Sequence, residues 1–152
     1  MSIHSARGNV AGIAVRTSRM GPMREIAEAV AMTGAGLDED LRVSRRRGLT
    51  LISAEGWEES IRELDSDLPW YSRRANVLVE GFPLEISIGK TLSVGEVTVK
   101  IHGETEPCPA MDEVHPGLQE ALRPNLRAGV YGEILQGGAI RVGDSIAFVD
   151  RL

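Results

Sequence analysis

Along the chain, apolar and polar positions first fall into a period of two. Gly8 to Arg16 (GNVAGIAVR) alternates small or apolar residues with others and is rich in Val and Ile, which predicts a first strand. Gly21-Pro22 breaks this run. Met23 to Met32 is Ala- and Glu-rich, with Ile26, Ala27, Val30 and Ala31 on roughly one helical face, so propensity favours a helix and leaves a strand as the alternative. Gly34 to Gly36 ends that segment and opens a polar loop running to Arg47. Leu49 to Ile52 is a short apolar run of strand type. Ser53 follows as an N-cap, with Glu55 in the first turn opposing the helix dipole, and predicts a helix from Ala54 to about Leu64. Trp57, Ile61 and Leu64, spaced by four and three, form one stripe facing a core. Pro69 blocks continuation, and Ala75 to Glu80 reads as another strand ended by Gly81.

From Leu84 onward short strands and turn signals dominate. Leu92 to Val97 and Ile140 to Ile146 share an apolar, polar, Val, Gly, acidic pattern that predicts two hairpin turns, with glycine supplying the reversal. The alternating stretches beside them would bury one face in a barrel or sandwich. Pro107, Pro109, Pro116 and Pro124 crowd the region between, so residues 103–128 form a long connection with at most a short helix, Gly117 to Leu122. Long ordered connections of this kind usually carry function. The expectation is a mainly β fold with a few short helices, an α+β chain whose 152 residues suit one domain spanning 1–152.

Composition narrows the partners. A formal charge of −5 repels phosphate backbones, and 4% aromatic content offers few stacking platforms, so nucleic acid is excluded as a partner. No stretch approaches the ~20 apolar residues of a membrane helix and the first residues show no apolar leader, so the chain reads as cytoplasmic without membrane association. With one cysteine there is neither an intramolecular disulfide nor a C-x-x-C pair, and His4, His102 and His115 are scattered, so no metal centre built from protein ligands alone is expected.

Chemistry concentrates at Glu104-Thr105-Glu106-Pro107-Cys108-Pro109, where the single thiol stands between two prolines that restrict the backbone. Such a cysteine suits a nucleophile or sulfur carrier, and equally a small buried hydrophobe. Glu104 and Glu106 nearby would raise its pKa, and an arginine would lower it. Arginines recur at strand edges: Arg45-Arg46-Arg47, Arg73-Arg74 and Arg127. The triple run is more often a solvated face, whereas Arg74 and Arg127 are better placed to grip an anion. Asp38, Glu39 and Asp40 in the polar loop read as solvent-exposed. Neither a Ser-His-Asp order nor a Gly-rich phosphate loop is present.

Gly36 to Asp40, Leu49 to Ser53, Arg74-Ala75-Asn76 through Gly81, Gly89 with Leu92 to Glu96, Pro107-Cys108 with Met111, and Gly129-Val130-Tyr131 through Gly143-Asp144 resemble, in order and spacing, the MOSC domain, the C-terminal module of molybdenum-cofactor sulfurases. The resemblance implies a β-barrel in which Cys108 carries sulfur or contacts the molybdenum of the cofactor. Arg74, Asn76 and Arg127 would be its pocket partners, arginine suited to a pterin phosphate and asparagine to the pterin's amide edge. It further implies the molybdenum cofactor as ligand, no pyridoxal phosphate in this chain, and a separate cysteine desulfurase or molybdoenzyme as partner. Relatives often show Gly-Asp then Arg and His after the first Gly-Leu; here the run Gly36 to Arg42 lacks that glycine and histidine, which points to an altered ligand or a partly lost activity, and to a carrier or sensor rather than an enzyme. Three functions stay open: a sulfur-carrier or cofactor-binding domain, a molybdenum-dependent reductase of N-hydroxylated compounds, and a non-catalytic interaction module with a structural cysteine.

Overall fold

The alternating N-terminal segment forms the longest described strand, β1 (Arg7–Arg16), and its length lets it serve several neighbours at once. Its first residues pair with β10 (Ser145–Phe148), its middle with β5 (Val77–Glu80) and its last four with β2 (Met23–Ile26). These relations come from a computed structural model, which describes residues 5–19, 21–41 and 44–149. His4 and Arg42, both named above, lie outside the described residues.

Because β1 meets both β10 and β5, the sheet closes. Its circuit is β1, β10, β6 (Thr91–Val94), β7 (Val97–Glu104), β8 (Val130–Gln136), β4 (Leu49–Ser53) and β5, a seven-stranded barrel with β2 as an outgrowth of β1. All pairs are antiparallel except β4 with β5. A parallel pair needs a crossover, and α1 (Ala54–Glu63) begins it. A separate ribbon pairs β3 (Glu28–Ala31) with β9 (Gly138–Arg141), and its Ala29, Ala31 and Ile140 join the barrel interior. Two further helical turns, α2 (Met111–Val114) and α3 (Leu118–Ala121), lie in the long connection between β7 and β8. The mainly β barrel with short helices matches the fold class expected from sequence.

Strand alternation divides the apolar residues between two cores. Val10, Ile13, Val15, Leu49, Leu51, Val77, Val79, Val99, Ile101 and Val130 fill the barrel. The opposite faces, Ala14 and Ile52 among them, meet Trp57, Trp70, Met111, Leu118 and Leu122 in a second core beneath the helices. The predicted stripe on α1 faces this core: Trp57 is 3% exposed, with Ile61 and Leu64 packed beside it. Ser53 caps α1, its hydroxyl accepting the Gly56 amide at 3.0 Å. Ser53→Ala is therefore expected to cost about 1 kcal/mol, the usual value of an N-cap oxygen. Urea denaturation tests this, and an unchanged midpoint would show the cap to be idle.

Two expectations are corrected. Met23 to Met32 is not a helix but two strands, β2 and β3, the second with the alternating burial of a strand. The alanines and glutamates favour a helix only in isolation; pairing with β1 and β9 places Met23, Ala29 and Ala31 in the cores and overrides propensity. Of the two predicted hairpins, Leu92–Val97 is one, joining β6 to β7 with Val94 opposite Val97. The Ile140–Ile146 turn instead carries the chain from the ribbon into the barrel. It is held by Val10, whose amide donates to Asp144 and whose carbonyl accepts from Gly143, both at 2.8 Å. Similar turn residues reverse the chain in both places, but burial of Ile140 and Ile146 assigns β9 and β10 to different partners.

Candidate functional site

Thr105, where β7 ends, anchors the cysteine loop. It is buried, its amide donates to Gly129 O at 2.9 Å and its hydroxyl to Ala128 O at 2.6 Å. Three residues later Cys108 is exposed, which removes the buried-hydrophobe alternative. Its carbonyl accepts the Met111 amide at 2.9 Å and so opens the turn of α2. Glu104 and Glu106 line a small cleft with Pro107 and Arg123.

The two consecutive arginines part company here. Arg73 reaches back to the cysteine loop, donating from Nε to Ala128 O at 3.1 Å and from Nη2 to Thr105 O at 3.3 Å. Burial lowers its pKa below the usual arginine value; the charge of Cys108 acts in the opposite sense, and the neighbouring Arg47 lowers it further. Arg47 lies with its guanidinium carbon 4.4 Å from the centre of the Tyr131 ring, a cation–π contact. Among the described residues neither Arg47 nor Arg73 has a carboxylate partner.

Arg74 takes a left-handed backbone (φ 68°) and turns the other way. Its guanidinium donates to the carbonyls of Ser18, Arg19 and Gly21, holding the turn between β1 and β2. Burial and the charge of Arg16 lower its pKa, with Asp40 opposing. Arg74 lines a groove of about 390 Å³ with Arg19, Met23, Tyr71, Met111 and Val114. The groove thus runs beside α2, immediately after Cys108, with a mostly apolar lining that carries Arg19 and Arg74 and, from α2, the carboxylate of Glu113.

One residue that sequence reasoning dismissed is buried in a polar network. Asp38 and Glu39 are exposed as expected, but the Asp40 side chain is only 3% exposed. It takes the Arg16 guanidinium at 2.7 and 3.2 Å, the Arg16 amide at 2.7 Å and Asn76 Nδ2 at 3.1 Å. Loop composition predicts exposure, and the partner that buries Asp40 lies 24 residues away, where no local signal reaches.

Asn76 itself is fully buried, its amide group spent on Thr50, Ala14 and Asp40. Arg127 is placed apart from both sets. It lines a different cleft with Ser53, Glu59 and Leu126, and its guanidinium joins Ala121 O at 2.9 Å, Glu63 at 3.0 Å and Glu59 at 3.4 Å, bracing α1 against α3. The structure therefore gathers Cys108, Arg73 and Arg47 on one side, and Arg74 with the Asn76–Asp40–Arg16 network on another. No group of three or more potential His, Cys, Asp or Glu metal ligands occurs among the described residues.

A sequence profile of the MOSC domain matches residues 38–147. No curated protein matches the sequence significantly. Solved structures with a similar fold include the YuaD protein of Bacillus subtilis, 18% identical, covering 92% of this chain and 94% of that one with a TM-score of 0.73. YiiM of Geobacillus stearothermophilus is 16% identical, covering 95% and 76% with a TM-score of 0.77. YiiM of Escherichia coli is 14% identical, covering 95% and 71% with a TM-score of 0.73.

Proposed function

The chain belongs to the MOSC domain family, which is associated with molybdenum-cofactor-related functions, and from that premise we propose that it carries sulfur on Cys108 in the service of that cofactor. The observation that supports this most is the presentation of Cys108: an exposed thiol, on a loop fixed at Thr105 and stiffened by Pro107 and Pro109, beside Arg73, which has no carboxylate partner among the described residues. A carrier thiol must reach a donor and then an acceptor, so it needs exposure. It must also act as thiolate, the form that attacks sulfur. Arg73 keeps the loop in place by holding Thr105 and Ala128 together.

The residues beside Cys108 also fit the cofactor. A metal that brings its own dithiolene sulfurs needs few protein donors, and one accessible soft thiolate suits it where the described residues hold no cluster of three ligands. Arg74 and Arg19 would meet a phosphate, and Tyr71, Met23 and Met111 a flat ring, in the groove next to α2. When bound, the cofactor would supply a redox-active molybdenum centre. Asn76 contributes indirectly in this reading: with Asp40 it fixes Arg16 and the electrostatic setting of Arg74. A separate cysteine desulfurase would be the sulfur donor and a molybdoenzyme the recipient.

Intact-mass and peptide mass spectrometry, with a cysteine desulfurase and free cysteine, provide the test. The expected result is a gain of one sulfur atom mapped to Cys108 and lost in Cys108→Ser, while the melting temperature of that variant stays within about 2 °C because the side chain is exposed. A Cys108 that never gains sulfur would remove the carrier reading. Near-stoichiometric molybdenum in the purified protein, retained by the wild type and lost in Arg74→Gln, would favour the reading as a cofactor-bound reductase of N-hydroxylated compounds.

A further inference from the structure

Arg47 and Arg73 present an electrostatic arrangement that the fold alone does not require. Arg47 lies over the ring of Tyr131, whose cross-strand neighbour on β7 is Gly103, and Arg73 donates to Thr105 O two residues further along the same segment, so both flank the end of β7 that leads to Cys108, and the charge of Arg47 disfavours that of Arg73. Among the described residues, the Arg73 guanidinium is held by the carbonyls of Thr105 and Ala128 and the Arg47 guanidinium by the face of Tyr131. Several other arginines are neutralised, Arg16 by Asp40, Arg24 by Glu39, Arg123 by Glu120, Arg127 by Glu59 and Glu63, and Arg141 by Glu28, whereas Arg74, like Arg73, is held by backbone carbonyls. Two neighbouring unneutralised guanidinia are stabilised by an anion placed between or before them, since each can offer parallel N–H donors to an oxyanion. Beside them stands the exposed thiol.

We propose that Arg47 and Arg73 form an oxyanion site at Cys108, and that the sulfur compound this cysteine reacts with is a small anionic sulfane donor whose leaving group is an oxyanion. The proposal rests on the sulfur-carrier reading and gives its substrate class. Thiosulfate is the simplest such donor. The Cys108 thiolate attacks its outer sulfur; a new S–S bond forms to Cys108 while the old S–S bond breaks with its electron pair on the departing group. The products are the Cys108 persulfide anion and sulfite. Total charge is conserved, no proton is needed, and no oxidant or reductant enters. Arg47 and Arg73 bind the sulfonate oxygens before the bond breaks and hold the sulfite as its charge grows, so their interaction strengthens during the reaction.

Two measurements on the full chain test this. The first compares alkylation of Cys108 by anionic iodoacetate and neutral iodoacetamide, with a small free thiol as reference. The ratio should favour iodoacetate by roughly tenfold over the free thiol at low salt, collapse in Arg47→Gln, survive in Arg47→Lys and fall as salt is raised. Arg47 is the residue to change because its side chain is exposed and the variant should fold, whereas Arg73 also anchors the loop. A ratio equal to that of the free thiol would overturn the oxyanion site. The second follows thiosulfate: one sulfur on Cys108 and one sulfite released are expected, with the rate reduced roughly tenfold in Arg47→Gln. Loading by a desulfurase but not by thiosulfate would overturn the substrate class and leave the carrier reading standing. Loading by neither would remove both.

Discussion

Asn76→Ala is expected to destabilise the protein by on the order of 4 kcal/mol, because it strands several buried polar groups at once. The side chain bonds across to Thr50 just ahead of the first residues of the parallel β4–β5 pair. Its Oδ1 accepts both the amide and the hydroxyl of Thr50, each at 3.1 Å, while its Nδ2 donates to Ala14 O at 3.2 Å and Asp40 Oδ2 at 3.1 Å. Alanine leaves the Thr50 amide and the Ala14 carbonyl without these partners in a site that has no exposure. Each buried group left unpaired costs ~1–3 kcal/mol, a large share of the 5–15 kcal/mol that folds a typical domain. For a chain of this size that is a fall in melting temperature of roughly 10 °C. Thermal denaturation followed by far-UV circular dichroism reads it directly. A drop of less than about 1 kcal/mol would mean that water replaces the amide and that Asn76 is not a lock on the β4–β5 register. Because Asp40 loses a donor too, Arg16 should become more mobile in the same variant, an effect visible as faster exchange of the Arg16 amide, which Asp40 holds at 2.7 Å.

The same residue shows how far sequence reaches. Arg74-Ala75-Asn76 stands out as a family block, and position along the chain correctly ties it to a strand start. Nothing in the sequence reveals that Asn76 faces the packed wall with its polar atoms spent, since that depends on Thr50 and Ala14, 26 and 62 residues away. The strands were legible where Val and Ile alternate, as in β1, and where a short apolar run stands between turn or capping residues, as in β4 and β5. They were not at Met23 to Met32, where small alanines carry the burial and helical propensity dominates. The exposed loop and the single thiol were legible because prolines and cysteine are local signals. Which of Arg73 and Arg74 would face Cys108 was not. A left-handed backbone at Arg74, a residue type that rarely adopts it, decides which way each guanidinium points. Asp40 and Arg47 were read as ordinary surface charges for the same reason. Their partners, Arg16 and Tyr131, are brought to them only by closure of the barrel.

Gly129→Ala is the substitution that should couple stability to the cysteine loop most strongly. Gly129 sits just ahead of β8 with φ at 105°, and a methyl group there would stand 2.4 Å from Leu51 O and 3.1 Å from Thr105 Oγ1. Two costs follow. The backbone conformation alone disfavours an L-residue by roughly 1–3 kcal/mol, and the contact with a strand carbonyl cannot be relieved by rotating a side chain. The β4–β8 pair must therefore separate locally, which brings the expected loss to about 4 kcal/mol. Gly81→Ala separates the two contributions: its φ of 73° is also positive, yet nothing lies within 4 Å of the added carbon. It should cost about 1 kcal/mol, the conformational part alone. The displaced segment carries function as well as strain. Ala128 O accepts both Thr105 Oγ1 and Arg73 Nε, so moving it loosens the two bonds that set Cys108 against its arginine. The folded fraction of Gly129→Ala is therefore expected to lose the preference of Cys108 for iodoacetate over iodoacetamide, while Gly81→Ala keeps it. Equal stability of the two variants would show that the barrel absorbs the methyl group without opening. A retained reagent preference in Gly129→Ala would show that Arg73 reaches Cys108 independently of the Thr105–Ala128 anchor.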